Sequence, residues 1–194
     1  MALAAFVILF TACFGVACRG NGDQPAPPAP SPVSDVWEGA RVIDYRPAGV
    51  SMLVLKGWDI STKGREATLF SPDKKLTAVV YSPPAKTFEE ASTKSIEQVA
   101  NYVDNAESDG MGQKWNIEEG LPAVNEKGIG LKDRKKVGWG STVVNGPAGP
   151  LQLVWYFDPD DKNRDANLEQ FRLMLANIRK LANNRRAAST FVIE

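Results

Sequence analysis

The side chains able to do chemistry are few, and their types limit what that chemistry can be. The sequence has 0 His and 2 Cys, and both cysteines, Cys13 and Cys18, lie in an apolar N-terminal run. Between Val36 and Leu181 there is neither residue. Zinc ligation of the Cys/His type, cysteine nucleophiles and histidine general bases are therefore excluded from the body of the chain. Carboxylate, lysine and tyrosine chemistry remains, as does oxygen ligation of Ca²⁺ or Mg²⁺. Asp158, Asp160 and Glu169 fall at positions 1, 3 and 12 of a calcium-loop template. However, Lys162 stands at position 5 and Asn163 where the loop requires glycine,. The three are weak metal candidates, and the expected reading is a solvated turn that brings negative charge to a helix N-terminus. Asp158 and Asp161 are the acids a carboxylate-based hydrolase would use, provided they converge at ~5–10 Å. Trp58, Trp115 and Trp139 form a candidate binding surface for a sugar or peptide, although aromatics at strand positions are more often core. Trp155 is expected in the core. No catalytic residue and no cofactor are assigned.

Cys18 is different, because its surroundings specify a modification. The apolar run from Ala2 ends at Ala17, and the chain turns polar directly after Cys18, at Arg19-Gly20-Asn21-Gly22. An apolar segment of this kind resembles an export signal. A small residue followed by cysteine resembles a lipobox, in which the cysteine is acylated and becomes the first residue of the mature chain. The match is partial, since Gly15 stands three residues before Cys18 where an aliphatic residue is usual, and no Lys or Arg lies between Met1 and Phe6. Cys13 is a poorer site because Phe14, Gly15, Val16 and Ala17 continue the apolar run. Two other readings stay open: soluble cleavage after Gly15-Val16-Ala17, and an uncleaved anchor, since ~17–25 apolar residues can span a bilayer. More than one acyl chain is needed for firm anchoring. Arg19, in place of an aspartate, resembles the enteric pattern that sends lipoproteins to the outer membrane.

The expected organisation follows from composition. Residues 1–17 read as a signal peptide and 18–35 as a lipidated, proline-rich tether, with Gln24-Pro25-Ala26-Pro27-Pro28-Ala29-Pro30-Ser31-Pro32 as a semi-rigid spacer,. Residues 36–182 form one domain, large enough to bury a core without disulfides or metal. Residues 183–194 read as a flexible tail. Lys+Arg and Asp+Glu balance at 23 each, which argues against a nucleic-acid partner. The run Lys132-Asp133-Arg134-Lys135-Lys136 is a local exception. It can touch anionic headgroups or act as a charged loop that discourages sheet-to-sheet association.

The elements that must position these residues are mostly strands. Ser51–Leu55, Ala67–Ser71 and Leu76–Tyr81 read as strands, the last two joined by a turn at Pro72-Asp73-Lys74,. Leu76, Ala78 and Val80 share one face of the third while Val79 and Tyr81 share the other, so this strand is expected in the sheet interior. Thr87-Phe88-Glu89-Glu90 is a capping box opening a helix expected to run to Asn105,. Strands follow at Trp115–Ile117, Ala123–Leu131, Lys135–Val144 and Leu151–Phe157, the last two flanking a hairpin loop,. A closing helix begins near Asn163, with Leu168, Phe171, Leu175, Ile178 and Leu181 as its buried stripe,. Val36–Tyr45 fits either a strand or a short helix. Strands joined by hairpins with few helices predict an α+β fold on an antiparallel sheet.

Four features together resemble the PsbP-like family, which includes a photosystem extrinsic subunit, a Ran-binding import factor and many bacterial lipoproteins. They are Gly57-Trp58 after the first strand, the strands around Ser71-Pro72-Asp73, the capped helix from Thr87, and the ending Leu175-Ala176-Asn177-Ile178. Leu55 stands where that family tends to have proline. The resemblance covers Gly49 to Leu181 and implies a central antiparallel sheet with helices on both faces. It also implies a protein that binds or supports partners and is not an enzyme, with no family-wide catalytic residues to carry over. The combined expectation is a non-catalytic lipoprotein of the bacterial envelope, held at the outer membrane, facing the periplasm or the surface, and binding a protein partner. A carboxylate-based hydrolase or a carbohydrate-binding protein is the alternative. Intact-mass measurement of the membrane-extracted chain is expected to show acylation that Cys18→Ala abolishes; unchanged acylation moves the site to Cys13 or elsewhere.

Overall fold

The computed structural model describes residues 37–110, 112–117, 120–181 and 190–194. The expected signal peptide, Cys13, Cys18, the tether and residues 183–189 of the expected tail lie outside the described residues. The fold is α+β, built on a predominantly antiparallel sheet, as the strand pattern predicts.

The chain opens with β1 (Arg41–Tyr45), a single 3-10 turn at Arg46–Ala48, and β2 (Val50–Val54). Two hairpin-linked strands, β3 (Asp59–Lys63) and β4 (Glu66–Phe70), lead into β5 (Leu76–Tyr81). Two short helices, α1 (Phe88–Thr93) and α2 (Ser95–Val99), precede β6 (Asp104–Ser108) and β7 (Gln113–Asn116). The long strands β8 (Pro122–Lys132), β9 (Lys135–Asn145) and β10 (Pro150–Phe157) follow, then α3 (Arg164–Ala176), β11 (Arg179–Lys180) and β12 (Thr190–Ile193). Among the described residues the large sheet has the order β3-β4-β5-β10-β9-β8-β6, with β7 also pairing β8, and a small sheet has the order β11-β2-β1-β12.

Alternation along the central strands sends apolar side chains to both faces. Leu76, Ala78, Val80, Leu153 and Trp155 join a core cluster with Ile43 and Met52 of the small sheet and Phe171 and Met174 of α3. Val79, Tyr81, Trp139 and Val154 join a second cluster beneath α2, with Val99 and Val103. The large sheet is thus covered by α1 and α2 on one side, and by α3 with the small sheet on the other.

The turn between β4 and β5 is tied to α3 through one carboxylate. Asp73 accepts hydrogen bonds from the Ser71 hydroxyl (2.7 Å), the Lys75 N–H (3.1 Å) and the side-chain amides of Asn163 (3.1 Å) and Asn167 (3.0 Å). Asn167, in the first turn of α3, is buried at 5 % exposure, so its amide needs this acceptor. Pro72 also lies 3.5 Å from where a Cβ on Gly57 would sit, and Gly57 has φ +90°. Gly57 and the Ser71-Pro72-Asp73 turn therefore meet here.

Three expectations are corrected. The helix expected over 87–105 is two short helices followed by a strand. The capping box forms as far as Thr87, whose hydroxyl accepts from the Glu90 N–H (3.1 Å), while the Glu90 carboxylate accepts from the Lys86 N–H (3.0 Å) one residue further back. The break follows from Thr93, whose hydroxyl donates to the Glu89 carbonyl (2.9 Å), a back-bond that bends helices. It also follows from Ser95, which is buried and donates to Ser141 of β9 (3.0 Å). Beyond Val103 the chain pairs with β8. The closing helix ends at Ala176, so Ile178 is buried beyond it, and Arg179 and Lys180 form β11 beside β2. Residues 190–193, expected in a flexible tail, form β12, which pairs in parallel with β1 and places Ile193 in the main core at 2 % exposure. The alternation of Phe191 and Ile193 with polar or exposed neighbours is the strand signal for that segment.

Burial alone would raise the Asp73 pKa, but the hydrogen bonds from Ser71, Lys75, Asn163 and Asn167 outweigh it and hold the carboxyl well below the usual carboxylate range. Because the folded pKa is depressed, the stabilisation is present above the unfolded value and is lost as pH falls through the folded one. Asp73→Ala is expected to cost about 2 kcal/mol at neutral pH. In urea titrations from pH 7 downward, the gap between wild type and variant should narrow below about pH 4.

Candidate functional site

An opening of about 650 Å³ lies between α3 and the face of the large sheet formed by β8, β9 and β10. Its floor arises from the register of β9 against β10, which sets Gly140 opposite Trp155 and Gly138 opposite Phe157. A Cβ on Gly140 would sit 2.2 Å from the Trp155 ring, and one on Gly138 would sit 2.4 Å from the Phe157 ring. The two aromatic rings therefore lie across the bare backbone of β9, where any larger residue would displace them. Phe171 of α3 closes on Trp155 with ring centroids 5.0 Å apart, and on Trp58 at 6.1 Å. Leu168 and Leu175 complete the helical wall.

The opposite wall is more polar. Trp115 of β7 borders the cavity, and its indole nitrogen is buried with no hydrogen-bond partner among the described residues. Asn125 of β8 also borders it, accepting from the Thr142 hydroxyl at 3.1 Å. Lys127 and Ile129 follow on β8, and Ile129 is 44 % exposed. Arg172 stands on the helical side, 3.6 Å from Glu169 in an exposed pair. Asp109 is the one carboxylate among the described residues that border the cavity. A mostly apolar concavity of this size with a few polar groups has the anatomy of a ligand pocket or of a socket for a partner's side chain.

The sequence-predicted residues divide around this cavity. Trp115 and Trp139 both border it, and Trp139 also belongs to the second core cluster and donates its N–H to the Ile129 carbonyl (2.9 Å). Trp58 does not join them: it is fully buried, with its N–H donating to the Gln170 side chain at 2.8 Å. Asp158, Asp160 and Glu169 are not brought together. The Asp158 side chain accepts from the Asp160 N–H (3.0 Å), closing the turn before α3, while Glu169 lies on α3 beside Arg172. Among the described residues no three His, Cys, Asp or Glu side chains form a metal-binding group. Trp155 belongs to the core and also forms the cavity floor. Gly138 and Phe157 at the floor, and Gly140 beneath the Trp155 ring, are not among the candidates that residue type alone offers. Their signal was there: pairing outward from the loop before Pro150 sets two glycines against two aromatics.

No family model matches the chain, and no curated protein is detectably similar to it in sequence. Solved structures do share its architecture. The solution structure of cyanobacterial PsbP (CyanoP) from Synechocystis sp. PCC 6803 superposes with a TM-score of 0.52 at 12 % identity, over 78 % of this chain and 97 % of that one. LpqN, involved in cell envelope biogenesis of Mycobacterium tuberculosis, gives a TM-score of 0.50 at 11 % identity, over 75 % of this chain and 95 % of that one. With its central antiparallel sheet, the helices on both faces and these two neighbours, the domain has the PsbP-like fold.

Proposed function

We propose that this chain is a membrane-anchored, extracytoplasmic lipoprotein of the bacterial envelope that binds a protein partner and catalyses no reaction. The observation that carries the binding role is the cavity between α3 and β8–β10. Its walls are aromatic and aliphatic, and an exposed isoleucine stands at its edge. A partner that inserts an apolar side chain there gains contact with the Trp155, Phe157 and Phe171 rings. Such buried aromatic anchors supply most of the energy of specific interfaces.

The alternative of a carboxylate hydrolase requires a pair of acids across the site. Asp109 stands without a second acid among the described residues bordering the cavity, and Asp158 is engaged in the turn before α3. Cys18 and the proline-rich stretch after it support the anchor, and Arg19 favours the outer membrane, facing the periplasm or the surface. The work of LpqN in envelope biogenesis accords with that location.

The test is site-specific photocrosslinking in the producing cell. A photoreactive residue at Ile129 should give one discrete adduct, whereas the same group at Thr62 on β3 should not. Leu168→Trp, which fills the cavity, should abolish the adduct while the protein stays folded. An adduct indifferent to Leu168→Trp, or none from Ile129, overturns the reading.

A further inference from the structure

A second groove, of about 540 Å³, opens where the β4–β5 and β8–β9 turns come together at one end of the large sheet. Its walls carry Lys74 and Lys75 from the first turn and Lys132, Lys135 and Lys136 from the second, and Tyr156 lies between them. Arg134 stands in the second turn itself. None of these six cations takes part in an ion pair among the described residues; the pairs there join Arg46, Lys94, Arg164 and Arg172 to their acids. Asp133, Asp158 and Asp160 also border the groove, which leaves the cluster with a net positive charge although the chain as a whole is neutral.

Two features show that this is a held arrangement. The β8–β9 connection is a two-residue turn with Asp133 at φ 50° and Arg134 at φ 65°, the tight hairpin geometry whose register is fixed. That register sets Lys132 directly across from Lys135, with Lys136 next in line opposite Leu131. Like charges directly opposite on adjacent strands destabilise a sheet, so the pair is costly until an anion lies between them. Lys132 is also held over the Tyr156 ring, 5.4 Å from its centroid. On the other side, the Asp73 hydrogen bonds to Ser71 and to α3 fix the turn that carries Lys74 and Lys75.

We infer that this groove docks the domain on a membrane surface through anionic phospholipid headgroups. Phosphodiesters supply the charge that the opposed lysines lack, and the aromatic floor at Tyr156 suits the glycerol and carbonyl zone just below them. The contact is separate from the apolar cavity, and it orients the domain at the bilayer whether or not that cavity binds a protein.

The test uses residues 34–194, one compact unit with its own core, because the apolar N-terminal run would itself enter vesicles. At low salt the unit should co-sediment with vesicles of equimolar phosphatidylglycerol and phosphatidylcholine, but not with phosphatidylcholine alone. Molar salt should release it. A lysine near an anionic surface contributes about five-fold in partitioning, so Lys135→Glu with Lys136→Glu should lower it by about 25-fold or more. Lys63→Glu with Lys86→Glu, the same charge change placed elsewhere, should lower it far less. Thermal unfolding of both variants confirms that they fold. The inference is overturned by absence of binding to the anionic vesicles, by equal losses in the two variants, or by release with millimolar inorganic phosphate, which would assign the groove to a free anion.

Discussion

The register of β9 against β10 is the constraint on which the rest of the domain depends. It places two glycines beneath two aromatic rings, and those rings serve both the core and the candidate site. Trp155 contacts Phe171 of α3 and so seats the helix on the sheet, while Phe157 lies over Gly138 at the cavity floor. Side chains alternate between faces with a period of two, so a slip of β10 by one residue would turn Trp155 toward α2. Both faces of these strands are apolar, which gives little discrimination against such a slip. The glycines supply it, since the rings fit flat only where Cβ atoms are missing.

Much of this architecture was legible in the sequence, for a simple reason. Strands that bury one or both faces announce themselves through apolar alternation. Leu76–Tyr81 and Leu151–Phe157 reach the two core clusters face by face as their alternation requires. What escaped notice is where the chain pairs through backbone alone. β3 and β6 are edge strands whose side chains are mostly exposed and polar, so no hydrophobic period marks them. The cap at Thr87 marks where the helix starts, but nothing local marks where it stops. Ser95 looks like an ordinary helical residue until Ser141 and Gln152, distant in sequence, draw it into a buried polar cluster.

The candidate site was less legible than the fold. Aromatic residues can be recognised singly, but a cavity is a property of what they leave unfilled. Trp115 and Trp139 border it, yet Trp58 has the same residue type and is buried in the core. Asp158, Asp160 and Glu169 have the spacing of a calcium loop, whereas Asp158 and Asp160 close a turn leading into α3 and Glu169 lies along that helix beside Arg172. The lysine run beside Arg134 was visible as charge. Only folding showed that Lys74 and Lys75, far away in sequence, share its groove.

The pairing of β12 with β1 sets an order of events for the folding chain. The two strands lie side by side although nearly the whole domain separates them in sequence. Closing so long a loop is entropically unfavourable until other contacts have drawn the ends together. One edge of β1 therefore stays open, and the core stays without Ile193, until β12 has emerged. The small sheet, and with it the last part of the main core, is thus the portion of the domain completed after the large sheet has formed,.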